Sequence, residues 1–415
     1  MRLVDASGLP RVAVTGMGAV SSVGTGVPAL LDALRTRRHG LRRMDAFAAL
    51  GMRGTVAGPV DEAALPPEPP RRLRRFMPPP ALYAWHAANE ALAQAGLPPE
   101  HLADPRCGLL LGGGAALSEH EQALDVHRRK GIGKLSPFLV PRGMSSAPSA
   151  GLAHAFNIGG TSCTVSSACS SAAHAIGHAM ELIQLGRQEV VIAGGTQELH
   201  PSTAMWFDAM GALSPQAEPA RASRPFHRER DGFALAAGAG VLVLESLAHA
   251  HGRGATVLAE LAGYGSATDA ASMVGSGAGG IARALRQALD RAGCHPGYIN
   301  ASACGTAGDL AEWQAIERVF AERGMPVPPI SSIKGLVGHA PEAAGALDAI
   351  ACLLMLQHDF LAAGAPLDDP DPAFAGAPLL AANREQRIDA ALSNSFGFGG
   401  SCAALMFRRC AGGAS

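Results

Sequence analysis

The residues best suited to chemistry in this chain lie in Thr164-Val-Ser-Ser-Ala-Cys-Ser-Ser-Ala-Ala173. Cys169 is flanked by small side chains, with a strand-like apolar approach before it. The stretch from Ser170 to Gly186 reads as an amphipathic helix ended by a glycine. A cysteine at the first turn of such a helix faces unsatisfied N–H groups and the positive end of the helix dipole. Both favour a thiolate, which is the nucleophilic form of the residue. Small neighbours leave room for a large acyl group. The bland alternative is a buried, inert cysteine, a common fate of free thiols.

Three other loops carry groups that could meet such a nucleophile. Ser331-Ser-Ile-Lys-Gly-Leu-Val-Gly-His339 puts a lysine and a histidine on one glycine-rich loop that runs into a helix. The dipole at a helix start disfavours a charged imidazole, and a neutral imidazole can donate to a developing oxyanion. Asn394-Ser-Phe-Gly-Phe-Gly-Gly400 can present backbone N–H groups from a flexible turn. The third loop runs from Asn300 to Asp309. Each has a plain structural alternative as a surface turn.

The elements around these loops alternate between strands and helices. Strands are predicted at Val12–Thr15, Cys107–Gly114, Glu189–Gly195, Gly240–Glu245, Leu258–Ser266 and Cys402–Phe407, with shorter ones at 297–301 and 329–334. Helices are predicted at 27–35, 83–95, 149–156, 280–293, 309–324 and 341–358, and 118–131 reads as partly helical. The glycines after Thr15 read as a turn, and 135–141 reads as a loop. No GxGxxG spacing occurs near residue 16, so a dinucleotide site is rejected there. The pattern runs through twice, with a seam near residue 250 and no linker. This predicts two related halves, 1–250 and 251–415, sharing one core.

Composition narrows the function classes. The chain has 415 residues, 48% of them hydrophobic, which is enough for a large core. A net charge of −1 points to neither nucleic acid nor membrane as partner. Two local basic runs, Arg35–Arg43 and Arg71–Arg75, are either solvated faces or a docking patch for an acidic carrier protein. The eight cysteines include no CxxC pair, so no metal site is expected. No secretory signal and no apolar run of about 18 residues is seen, so a cytoplasmic setting is expected.

Taken together, these stretches resemble the β-ketoacyl-acyl-carrier-protein synthases, the decarboxylating condensing enzymes of fatty acid and polyketide synthesis. The resemblance runs from Arg11 to about Phe407. It rests on Arg11-Val-Ala-Val-Thr-Gly-Met-Gly, Ser167-Ala-Cys-Ser-Ser, Gly211-Ala-Leu-Ser, Ser223-Arg-Pro-Phe, Arg228-Glu-Arg-Asp-Gly-Phe, Lys334 with Gly338-His339, and Asn394-Ser-Phe-Gly-Phe-Gly-Gly, in that order. It implies an α/β fold of the thiolase type, layered α/β/α/β/α, in two related halves and usually dimeric. By resemblance, Cys169 is the acylated nucleophile, His339 one of two decarboxylation histidines, and Lys334 the lysine of the active-site network. Glu312 is the buried acid that steadies that lysine. The N–H groups of Cys169 and Phe398 form the oxyanion hole. Phe398 also gates the site, Phe207 lines the acyl pocket, and Thr306 holds the pantetheine arm. No cofactor is implied beyond the phosphopantetheine of an acyl carrier protein.

One departure bears on function. The family's other histidine lies in Asn-Ala-His-Gly-Thr-x-Thr, and here the loop reads Asn300-Ala-Ser-Ala-Cys-Gly-Thr-Ala-Gly-Asp309. Ser302 falls at the histidine position on the alignment with one gap, and Cys304 on another. His227 also replaces the acid that usually follows Arg-Pro-Phe. The family's Gly-acid-Gly-Ala-Gly is Ala236-Ala-Gly-Ala-Gly240. The resemblance therefore implies acyl transfer to Cys169, then condensation with malonyl-carrier that is slow or partner-dependent. A non-elongating acyltransferase is the alternative. A silent chain-length-factor-like subunit of a heterodimer is the alternative of another class, and the retained cysteine speaks against it.

Overall fold

The protein is described here from a computed structural model covering residues 2–410. Met1 and residues 411–415, which the predicted halves include, lie outside the described residues.

The central sheet has eleven strands, of which ten form its continuous order: β1 (Val12–Ser21), β2 (Cys107–Gly112), β3 (Ser162–Val165), β4 (Val190–Gln197), β5 (Gly238–Ser246), β6 (Ala259–Thr268), β7 (Ile299–Asn300), β8 (Ile330–Ser331), β9 (Ala390–Gly397) and β10 (Ser401–Arg408); the eleventh, Gly24–Thr25, pairs with the end of β1. The first half is ordered β1-β5-β4-β2-β3 and the second β6-β10-β9-β7-β8. The first two pairings of each half are antiparallel and the last two parallel. The halves join where Val12–Val14 of β1 pairs antiparallel with residues 259–261 of β6.

Five helices frame this sheet: α1 (Pro79–Ala95), α2 (Ser171–Gln184), α3 (Ala278–Ala292), α4 (Gly308–Glu322) and α5 (Ala344–His358). Helix α1 covers the outer face of the first half, and α3 and α4 cover that of the second. Helices α2 and α5 pack on each other between the sheet halves and share the largest apolar core with both. This is the α/β/α/β/α layering expected. Helix α5 is apolar nearly all round because sheet and helix enclose it on every side.

Two local expectations fail for physical reasons. The glycines after Thr15 do not turn, because β1 runs on to Ser21. A Cβ on Gly16 or Gly18 would sit 2.0 or 1.9 Å from the carbonyl oxygen of Ala91 or Ala87 on α1. The glycines serve close helix–sheet approach. The predicted loop at 135–141 contains the start of a helical turn, Leu139–Gly143. Pro141 fits there because the first turn needs no N–H donor from it.

Candidate active site

The parallel strands of both halves point their C-terminal ends at one place. Residues 166–170 connect β3 to α2 in a tight turn, with Ala168 at φ 52° and Cys169 at its apex. Gly397, at the end of β9, packs directly on this turn, since a Cβ there would lie 2.8 Å from the Cys169 nitrogen. That approach brings the Phe398 backbone to the nucleophile turn, and the N–H groups of Cys169 and Phe398 both favour the charged form of the Cys169 sulfur. Two backbone donors from opposite halves therefore converge on the nucleophile, as an oxyanion hole requires.

The thiol does not behave as the helix position alone predicts. Burial pushes Cys169 up to about 11, while the Lys334 charge and the two N–H groups pull against it and Glu342 adds to the rise. The resting residue is thus a thiol at neutral pH, and the expected thiolate is corrected. Desolvation outweighs the dipole here.

A cavity of about 570 Å³ opens in front of the sulfur. Cys169, Phe207, Ser302, Cys304, Thr306, Glu312, His339 and Phe398 all line it. The predicted site residues are therefore assembled, apart from Lys334, which lies behind the wall. Ser302, Cys304 and Thr306 alternate as half-buried residues along an extended segment, with buried Ala303 and Gly305 between them. Both candidates for the missing-histidine position thus reach the cavity. The Ser302 hydroxyl accepts from Phe396 N–H at 3.0 Å. Burial, with Asp309 nearby, raises the Cys304 thiol far above its usual range. Phe207 meets Phe233 edge-on and lies 6.2 Å, centroid to centroid, from Phe398.

His339 is held by its backbone. Its N–H donates to the Ala234 carbonyl at 2.9 Å, and its own carbonyl accepts from Ala236 N–H at 2.8 Å. Its ring meets Phe233 edge-on at 5.0 Å. Burial and then the nearby Lys334 charge push the imidazole down to about 3, so it is neutral at physiological pH. Its Nδ1 atom is buried with no hydrogen-bond partner.

The lysine's support differs from expectation. Lys334 Nζ donates to Asp348 on α5 at 2.7 Å, with both side chains 2% exposed. Burial opposes the ammonium, but Asp348 outweighs it and keeps Lys334 charged. Glu312 makes no bond to the lysine and acts on it only through space. Its carboxylate instead accepts from the N–H groups of Ser302 and Ala303 and from Asn394 Nδ2, each at 2.9 Å. Glu312 thus holds the loop by hydrogen bonds and favours the lysine's charge only through space. Burial, opposed chiefly by Asn394, lifts Glu312 to about 7. Asp309 shapes the same loop by accepting from the N–H groups of Cys304, Gly305 and Thr306.

Sequence reasoning missed Asp348. A signal was present: it is the only Asp, Glu, Lys or Arg in α5. Among the described residues no His, Cys, Asp or Glu cluster is arranged to hold a metal ion, and no helix is long and apolar enough to cross a membrane.

A family model described as "Beta-ketoacyl synthase, N-terminal domain" matches residues 10–250, and "Beta-ketoacyl synthase, C-terminal domain" matches 258–368. The chain belongs to the β-ketoacyl synthase family. It is 40% identical to a 3-oxoacyl-[acyl-carrier-protein] synthase 1 of Haemophilus influenzae, over 96% of this chain and 99% of the relative. A β-ketoacyl synthase crystal structure from Burkholderia phymatum superposes with a TM-score of 0.90 at 34% identity, covering 97% of this chain and all of the other. A ketosynthase bound to a hexaketide, in complex with a type II polyketide synthase acyl-carrier protein, superposes at 0.85 with 29% identity, covering 97% and 100%. The β-ketoacyl synthase family thus accounts for the layered fold and for the two-half construction of the site.

Proposed function

We propose that this protein is a ketosynthase-type acyltransferase that takes an acyl group from an acyl carrier protein onto Cys169. The observation that carries the reading is the convergence on one cavity of Cys169, two backbone donors and the neutral His339. In the first step the Cys169 sulfur attacks the carrier thioester. The carbonyl oxygen is received by the N–H groups of Cys169 and Phe398. The carbon–sulfur bond to pantetheine breaks, and the proton lost by Cys169 goes to the departing thiol. In the second step malonyl-carrier loses carbon dioxide. The resulting enolate attacks the acyl-cysteine, forming a carbon–carbon bond and freeing Cys169. His339 serves as a neutral donor to the enolate oxygen, and Lys334 keeps the local field positive.

With Ser302, or Cys304 on the other alignment, where the family has a histidine, the second step lacks one imidazole donor. Loss of such a donor costs roughly 2.7–4 kcal/mol, about a hundred- to a thousandfold in rate. Elongation is accordingly slow or dependent on a partner subunit, and a specialised pathway such as polyketide synthesis fits better than bulk fatty acid synthesis. The same observation favours the second reading, a non-elongating acyltransferase. The silent chain-length-factor-like reading is disfavoured because Cys169 is retained and faces the cavity. No cofactor is needed beyond the carrier's phosphopantetheine.

The carrier is proposed to meet the basic run at 71–75, where Arg71 and Arg72 are exposed and make no ion pair among the described residues. A homodimer, or a heterodimer with a second ketosynthase-like chain, is supported by β3. It is an edge strand paired on one side only, and Thr161, Ser162 and Cys163 are exposed along it. A cytoplasmic location is proposed from the free thiols.

The test is a pair of assays on one preparation. Intact mass should show an acyl adduct that peptide mapping places on Cys169, and carbon dioxide release from malonyl-carrier should be slow. An adduct on another cysteine would sink the acyl-enzyme reading. Fast elongation with no partner present would show that the missing histidine is compensated.

A further inference from the structure

Behind Cys169, away from the cavity, a line of polar side chains joins the two halves of the chain. Ser170 Oγ lies 2.8 Å from Ser401 Oγ, and Ser401 Oγ lies 3.1 Å from His174 Nε2. His174 Nδ1 lies 2.7 Å from the Tyr264 hydroxyl. Ser170 Oγ also donates to the Ser167 carbonyl at 2.7 Å. Ser170 Oγ shares its proton between the Ser167 carbonyl and Ser401 Oγ, and His174 links Ser401 to the Tyr264 hydroxyl through its two ring nitrogens. Burial pushes His174 down to about 4, so the imidazole is neutral, with one ring nitrogen donating and the other accepting.

The ends of this line matter. Ser167 and Ser170 bracket Cys169, and Ser401 begins β10 immediately after Phe398-Gly-Gly400. The line therefore ties the nucleophile turn to the loop that brings in the second backbone donor. Gly397 packs directly on the same turn, against the Cys169 nitrogen, the Ser167 carbonyl and Ala168.

We propose that Ser401 and His174 are positioning residues that hold the Cys169 and Phe398 N–H groups in register across the two halves. The proposal rests on the acyl-transfer reading above. Neither side chain touches the substrate. Their effect is on where the second donor sits when the carbonyl oxygen gains charge.

Two reactions at the same sulfur separate this role from a structural one. Alkylation by iodoacetamide, mapped to the Cys169 peptide, needs a thiolate but no oxyanion hole. Acylation by an acyl-carrier thioester needs both. Ser401→Ala should slow the acylation step about a hundredfold, the scale of a displaced catalytic contact, with KM for the carrier unchanged and alkylation, which loses only the Phe398 N–H contribution to the thiolate, slowed by less than about tenfold. Ser401→Thr, which keeps the hydroxyl, should restore acylation. If Ser401→Ala does not fold, His174→Phe should show the same split, since it keeps a ring and removes the N–H. Equal loss of both reactions, unchanged acylation, or no rescue by Ser401→Thr would each overturn the positioning role. A wild-type protein that is alkylated at Cys169 but never acylated would overturn the acyl-transfer reading and this proposal with it.

Discussion

The two halves of the chain share a strand order and do different chemistry. In β1, Gly16 and Gly18 lie under the carbonyls of Ala91 and Ala87 on α1. In β6, Gly263 and Gly265 lie under those of Ala288 and Ala284 on α3, where a Cβ would come within 2.2 and 1.9 Å. Each strand also has a register shift just before its first glycine. The scaffold is thus repeated down to a Gly-x-Gly pair. The loops are not. After the third strand, the first half spends residues 166–170 on a tight turn that exposes one sulfur. The second half spends residues 332–343 on a helical turn, a buried lysine and a neutral histidine. After the second strand, the first half has Gly112-Gly-Gly114 and the second has Ser302 to Thr306. One half supplies the nucleophile and the other supplies most of the field around it.

That division can be broken from either side. The largest effect is expected from Cys169→Ala, which should abolish acyl-enzyme formation by mass, while Cys163→Ala should leave it intact. Next is the second half's buried ion pair. Asp348→Asn leaves the Lys334 ammonium uncompensated and should destabilise the protein by about 3–5 kcal/mol in denaturant unfolding. A loss below about 1 kcal/mol would mean another group neutralises the lysine. On the proposed assignment of Ser302 to the family's histidine position, Ser302→His supplies an imidazole donor and should raise carbon dioxide release from malonyl-carrier by about a hundred- to a thousandfold. No gain there would shift attention to Cys304. Gly16→Ala and Gly263→Ala should each cost about 1–3 kcal/mol by overpacking against α1 and α3. Unequal costs would show that the scaffold repeat is not energetically symmetric.

The smallest effect sharpens the electrostatic side. A thiol whose pKa stands at about 11 is protonated at neutral pH, and its thiolate fraction grows tenfold per pH unit below that value. Alkylation of Cys169 should therefore keep rising through pH 9 and 10. A plateau near pH 7 would mean the two N–H groups and Lys334 outweigh burial.

Much of the site was legible in the sequence because its residues are adjacent to glycine-rich turns. Cys169 stands out by its small neighbours and His339 by its place before a helix, while the roles of Lys334 and Phe398 come from the family resemblance of their loops. What was illegible depends on packing. Asp348 pairs with a lysine on a different element, so its partner could not be read from spacing. Glu312 is a buried acid as expected, but only the fold shows its carboxylate spent on backbone N–H groups. The rise of the Cys169 pKa comes from burial, which a local helix argument does not contain. Gly16 and Gly18 were read as a turn because an approaching helix leaves no local trace. The doubling of the fold was visible as element order, while the Gly-x-Gly pairs that repeat it became meaningful only beside α1 and α3.

The pairing of β1 with β6, and the sandwiching of α2 against α5, also set the order in which the molecule can be made. During synthesis β1 to β5 and α2 emerge first, yet α2 presents a face whose partner α5 is still to come. Until β6 arrives, β1 is an open sheet edge, and until β10 arrives β9 has only β7 as a partner. The Phe398 donor and Ser401 belong to those late segments. A partly synthesised chain therefore carries a sticky apolar surface, which favours chaperone capture, and it lacks the second backbone donor of the site until the whole fold closes.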